Sequence, residues 1–138
     1  MGIFSKAPLD PDVDQALHGG DINYIRKCIA KAQPFIRDTL LPDENLDLIF
    51  YESYTGDHTV VVTNQRVLVI RNRFSGLPKE LVHACTAAQI RGARFGPTPT
   101  GAYVVALEFH RAMAAIKFNT HQAAHILTQA VNDLRAGG

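Results

Sequence analysis

The chain has 138 residues, 46% of them hydrophobic, and its fourteen Lys and Arg against thirteen Asp and Glu leave a formal net charge of +1. That length suits one ordinary domain with a real core and leaves little room for a second. The near-neutral balance argues against a polycationic nucleic-acid binder, and the hydrophobic content argues against an acidic disordered chain.

Residues 1–45 carry five basic and seven acidic side chains, whereas residues 46–118 carry eight and five. Pro8 and Pro11 among three aspartates predict an irregular arm with one short turn over 13–17, ended by Gly19-Gly20. Asp21 is a good helix N-cap, because its carboxylate can accept from the free N–H groups of a first turn. Ile22, Ile25, Ile29 and Ala32 then fall on one helical face. Pro34 predicts a break near Gln33 and a short second helix through Phe35, Ile36 and Leu40. From Leu46 the period becomes two: Leu46, Leu48 and Phe50 define a strand with one apolar face. Thr55-Gly56-Asp57 is a turn. Residues 58–63 and 66–71 form a β-hairpin across Asn64-Gln65, since Asn tolerates the positive φ of a two-residue loop. Residues 72–78 are a basic loop with Arg73 and Gly76, followed by weaker strands at 80–85 and 90–95. The stretch from Gly96 to Gly101 is loop, 103–109 is the clearest alternating strand, and 114–118 returns from it. Asn119 with Gln122 predicts a capping box for a last helix, whose stripe is Ala123, Ile126, Leu127, Ala130, Val131 and Leu134.

Seven short strands joined by hairpins form an antiparallel sheet whose inner face needs cover. Closing or nearly closing the sheet supplies it, with the last helix stopping the open end. The segments Leu41-Pro42-Asp43-Glu44, Thr63-Asn64-Gln65-Arg66 with its flanking strands, and 81–90 resemble the bacterial pleckstrin-homology-like (PH-like) domains. In that family a Leu-x-x-x-Glu opening, a Thr-x-x-Arg hairpin and a late strand starting at isoleucine recur in this order. The resemblance spans about residues 41–135. It implies an α+β fold, a seven-stranded antiparallel β-barrel or sandwich capped by a C-terminal helix, with residues 1–41 as an N-terminal helical extension and 42–136 as the PH-like domain. It makes Glu44, Thr63 and Arg66 the signature of the fold, and it implies self-association, because such domains form symmetric assemblies.

Candidate chemistry is sparse. Arg66 has two readings, an anion ligand or a guanidinium tied to carbonyls near the hairpin, and the second is preferred. Arg71, Arg73 and Lys79 surround the loop after the third strand, with Arg91 and Arg94 on the fifth. These five would form a site for anionic lipid headgroups, yet the loop from Tyr54 to His58 brings a carboxylate and no Lys or Arg. His121 and His125 lie one helical turn apart, the spacing of metal-binding helices, but without a His-Glu-x-x-His pattern or a third ligand no metal is expected. No nucleophile elbow, Walker loop or dinucleotide glycine pattern occurs, so neither catalysis nor a cofactor is expected. Cys28 and Cys85 sit inside apolar patterns and read as buried reduced thiols. No secretory signal is visible, and the longest apolar runs are too short to cross a bilayer. Residues 1–6 are similar to an N-myristoylation signal except that Lys6 stands where Ser or Thr is required.

The expectation is a soluble cytoplasmic, noncatalytic interaction module that binds a protein partner or itself. Its surface would be the loops around 71–79 and 96–101, a sheet edge or groove beside the last helix, or the apolar face of the N-terminal helices: Ile22, Ile25, Ile29, Phe35, Ile36 and Leu40. A peripheral binder of anionic headgroups is the alternative, and nucleic-acid binding is disfavoured by the charge.

Overall fold

The switch of hydrophobic period at Leu46 marks the passage from two helices to seven strands in the computed structural model, which describes residues 7–137. In chain order the elements are α1 (Pro11–Ala16), α2 (Asn23–Thr39), β1 (Leu46–Tyr51), β2 (His58–Thr63), β3 (Arg66–Asn72), β4 (Pro78–Thr86), a 3-10 turn (Ala87–Gln89), β5 (Ile90–Pro97), β6 (Tyr103–Phe109), β7 (Met113–Phe118) and α3 (His121–Gly137). The myristoylation reading of residues 1–6 lies outside the described residues. No described helix is long and apolar enough to cross a membrane.

The described strands pair antiparallel with their chain neighbours, in a four-stranded sheet β1-β2-β3-β4 and a three-stranded sheet β5-β6-β7, and a single parallel bridge joins Leu17 to Ile49 on β1. The two sheets face one another across a core of Phe50, Val60, Val62, Val67, Val69, Val105, Leu107, Ile116 and Phe118, into which α3 presses Ala123, Ala124, Leu127 and Val131. The sheets do not merge into one hydrogen-bonded cylinder; they form a sandwich stoppered by α3. One seam is stitched where the Tyr54 and Lys117 backbones meet and the Lys117 N–H donates to the buried Glu52 carboxylate at 2.6 Å. Asn132 fixes α3 to the outer edge of β5 by accepting from the Ala93 N–H and donating to its carbonyl.

A second core lies behind the first sheet. Val13, Ala16, Leu17, Ile25, Cys28, Ile29, Ala32 and Ile36 of the N-terminal helices pack on Ile49, Tyr51, Val61, Leu68 and Ile70. This corrects the expectation that β1 has a single apolar face: Leu48 and Phe50 look into the sandwich, while Ile49 and Tyr51 look toward α2. Both sides of the sheet are covered, so β2 and β3 read as continuous Val, Leu and Ile.

Three local expectations are also corrected. Asp21 does not cap α2; a backbone turn from the Ile22 N–H to the Gly19 carbonyl carries the chain one residue further, and Ile22 becomes the N-cap. Pro34 does not break the helix. It removes one amide from an exposed position, while Ile29 and Ile36 on either side are buried in the same core. Arg37, beyond the proline, is held by Asp10 and Asp12, and Gln33 accepts from the Asp10 N–H at 2.7 Å. Tertiary anchors on both halves outweigh the local penalty. At α3 the capping oxygen belongs to Thr120, which accepts from the Ala123 N–H at 3.2 Å, because Asn119 is engaged with Ser53 through its backbone N–H and its side-chain amide.

Candidate binding surface

The three signature residues meet at one point. The two-residue turn after β2 leaves the Thr63 hydroxyl facing inward, where it accepts from the Gln65 and Arg66 N–H groups and donates to Glu44 Oε2 at 2.7 Å. Arg66 closes a two-pronged pair on the same carboxylate at 2.7 and 2.6 Å and donates to the Thr39 carbonyl at 2.8 Å. The Glu44 side chain is fully buried. Burial alone would raise its pKa, but the Arg66 guanidinium, the Leu41 N–H and the Thr63 hydroxyl together bring it down to about 2. The four hydrogen bonds to the Glu44 carboxylate tie the end of α2 to the β2–β3 hairpin. Arg66 is bonded to a carboxylate as well as to a carbonyl.

The basic residues do not converge. Arg71 is paired with Glu80 across the β3–β4 ladder, and Arg94 with Glu108 at 3.2 Å across β5–β6. Arg73 and Lys79 lie at the β3–β4 turn, whereas Arg91 follows the 3-10 turn beyond the other end of β4. At about 3.3 Å per residue, the strand from Lys79 to Thr86 alone spans roughly 23 Å. A five-cation site is therefore not formed.

The apolar helix face divides. Ile25, Ile29 and Ile36 are buried against the chain's own sheet, Phe35 and Leu40 are half-buried at the margin of that core, and Ile22 is exposed. Most of the face proposed for partners is thus occupied intramolecularly.

Of the exposed large apolar side chains, Leu41, Leu81, Val82 and Met113 are spread over other elements, whereas Tyr24, Tyr54, Phe74 and Leu77 gather at one end of the first sheet. The Arg73 N–H donates to the Leu77 carbonyl and the Gly76 N–H to the Arg73 carbonyl, closing a tight turn whose apex is Phe74-Ser75. Phe74 is 111% exposed, and the exposed Leu77 follows in the same turn. Beside it the β1–β2 turn presents Tyr54, and the first turn of α2 presents Tyr24. Together Tyr24, Tyr51, Tyr54, Asp57, Arg73 and Phe74 border a cleft of about 240 Å³. Its floor is the Tyr51 hydroxyl. A Cβ at Gly56 would lie 2.8 Å from that oxygen, and one at Gly76 would lie 3.3 Å from it and from Cys28 Sγ; both glycines have positive φ. The two turns therefore close over Tyr51 in conformations that bulkier residues disfavour. Burial, then the neighbouring Tyr24 and Cys28 side chains, push the Tyr51 hydroxyl well above the ordinary tyrosine range, so it stays protonated. Asn72 locks the turns together: its N–H donates to the Asp57 carbonyl at 2.7 Å and its amide to the Gly56 carbonyl at 3.1 Å. A second cleft of about 300 Å³ adjoins through Tyr51 and Ser53 and reaches the start of α3.

No family model and no curated protein matches the chain. Among solved structures, a pleckstrin homology domain from Shewanella amazonensis SB2B superposes with a TM-score of 0.55 at 14% identity, over 75% of this chain and 95% of that one. The fold is pleckstrin-homology-like. A DUF1696-family protein with a pleckstrin-homology domain, from Shewanella loihica PV-4, gives a TM-score of 0.52 at 12% identity, over 74% and 88% of the two chains. Within this PH-like architecture, sequence reasoning located the β3–β4 turn through its arginines but passed over Phe74. The available signal was a large aromatic residue in a turn, between Arg73 and Ser75-Gly76, where no strand or helix could bury it. Tyr24 and Tyr54 carry no such signal, because tyrosine suits core and surface equally.

Proposed function

We propose that this PH-like chain is a noncatalytic binding module that contacts protein through the aromatic end of its first sheet. The observation that carries the reading is Phe74, fully exposed at the apex of a hydrogen-bonded turn beside Tyr24 and Tyr54. Exposed apolar side chains grouped in one patch, as Phe74 is with Leu77, Tyr24 and Tyr54, mark interaction sites more often than single ones do, and aromatic anchors supply much of the energy at protein interfaces. Because the turn is already ordered, docking pays little for immobilising it. A second copy is the partner to test first. Sedimentation velocity over a wide concentration range is expected to show the wild-type mass rising with concentration and Phe74→Asp remaining at one chain. A single-chain mass for both proteins overturns self-association through this surface. The free thiols Cys28 and Cys85 suit a reducing compartment, in keeping with a cytoplasmic setting.

A second reading, an anionic lipid surface, is favoured by the two cations near the same apex, Arg73 and Lys79. Neither is in an ion pair among the described residues. Co-sedimentation with phosphatidylserine vesicles, lost in Arg73→Glu/Lys79→Glu and weakened by salt, supports it. Absence of wild-type pelleting removes it.

A further inference from the structure

The aromatic end of the first sheet carries more positive charge than its turn alone supplies. On α2, Tyr24, Lys27, Cys28 and Lys31 stand at positions i, i+3, i+4 and i+7, so they share one flank of the helix. Tyr24 borders the same cleft as Phe74, and Cys28 Sγ lies 3.3 Å from where a Cβ on Gly76 would stand, so this flank meets the β3–β4 turn. Lys27 and Lys31 are exposed along it, and Arg73 and Lys79 approach from the turn itself. None of the four is in an ion pair among the described residues. The opposing charge is small. Asp57 borders the cleft, Arg71 already holds Glu80, Asp21 belongs to the neighbouring cleft, and Asp38 lies at the far end of α2.

Apolar groups lie among these cations. Leu81 stands opposite Ile70, whose side chain packs under α2, so Leu81 is exposed on the α2 side of the sheet, and Leu77 and Phe74 continue the apolar line to the turn. Like charges held on a helix and a hydrogen-bonded turn repel one another, and an anionic partner relieves that repulsion. Resting on the reading of the Phe74 end as a binding surface, we propose that the partner it takes is a protein segment rich in Asp and Glu that carries an apolar anchor. Its carboxylates meet Lys27, Lys31, Arg73 and Lys79, and its anchor meets Phe74 and Tyr24. β4 is the outer strand of its sheet, but Pro78 and two register shifts blunt that edge, so the contact is made by side chains and not by strand addition. An anionic membrane offers the same charge with a poorer fit: a flat headgroup layer leaves the cleft of about 240 Å³ unfilled and presses Asp57 against like charge.

The test is fluorescence anisotropy of a labelled peptide, Glu-Asp-Glu-Leu-Glu-Asp-Leu-Glu-Asp, with the full chain, beside a control peptide in which Gln and Asn replace Glu and Asp. The expected result is binding of the acidic peptide that weakens as salt rises, and no binding of the control. Lys27→Glu/Lys31→Glu is expected to weaken binding at least about tenfold, and Lys27→Gln/Lys31→Gln to weaken it by less. Arg91→Glu, which changes a cation beyond the other end of β4, is expected to leave it unchanged. Loss of binding in Phe74→Asp with full binding in Lys27→Glu/Lys31→Glu keeps the aromatic surface and overturns the acidic partner. Equal affinity for the two peptides overturns it as well. So does a peptide that fails to bind: pelleting with phosphatidylserine vesicles then gives the cations to a membrane, and a concentration-dependent mass that Lys27→Glu/Lys31→Glu abolishes gives them to a second copy.

Discussion

Glu44 offers the sharpest test of the energetics. In the unfolded chain its carboxyl titrates near 4.5; in the folded chain it is held at about 2. A carboxylate depressed on folding contributes stability that is complete above the unfolded value and is lost as the pH falls toward the folded one. The displacement corresponds to about 3 kcal/mol at neutral pH, and less than half of that survives at pH 3. Glu44→Gln keeps the shape but removes the charge that Arg66 grips, leaving a guanidinium only 13% exposed without its partner. The expected loss at pH 7 is about 3 kcal/mol, in the range for breaking one side of a buried pair. Urea denaturation of both proteins at pH 7 and again at pH 3 measures it. The gap between them is expected to shrink by about 2 kcal/mol. An equal gap at both pH values would refute the assignment, because the variant would then be losing packing or hydrogen bonds that do not depend on ionisation.

Four further outcomes follow from the same structure. Ile29→Ala, fully buried between α2 and the sheet, is expected to lower stability by about 2–5 kcal/mol; an unfolding midpoint that moves with protein concentration would show instead that α2 is holding another chain. Gly76→Ala places a methyl group 3.3 Å from both Cys28 Sγ and Tyr51 Oη at φ +84 and is expected to lose about 1–2 kcal/mol, checked by thermal melting. Thr120→Ala removes the α3 cap and is expected to cost about 1 kcal/mol; an unchanged melting curve would mean that the helix start is held by Asn119 and Ser53. Phe74→Ser is expected to change stability by less than about 0.5 kcal/mol, so any loss of association in that variant belongs to the contact surface and not to folding.

The strands were readable because their causes are local. Alternation at 103–109, β-branched runs at 58–63 and 66–71, and Asn64-Gln65 between them each state their own structure, whereas 46–51 was legible as a strand but not as one with apolar groups on both faces. Residues where two signals competed were less readable. Pro34 speaks for a break, and only the partners on α1, distant in sequence, reveal why the helix continues. Asn119 and Thr120 are both capable caps, and the choice falls to Thr120 because Ser53, sixty-six residues earlier, takes the asparagine. The candidate site was half-legible for a related reason. Arg71, Arg73 and Lys79 mark a turn by their charge, but Glu80 and the length of β4 decide which cations remain available and which can meet. The partner face of the N-terminal helices was visible as an apolar stripe, while its occupant was not, since a stripe looks the same whether it meets its own sheet or a stranger's.

The helical pair behind β1, β2 and β3 has a consequence for anyone trimming the chain. Removing residues 1–41 would strip Ile49, Val61, Leu68 and Ile70 of their lid at once and turn a shielded wall into a sticky one. A shortened product that clumps would then report on an uncovered sheet and say nothing about how the intact molecule assembles.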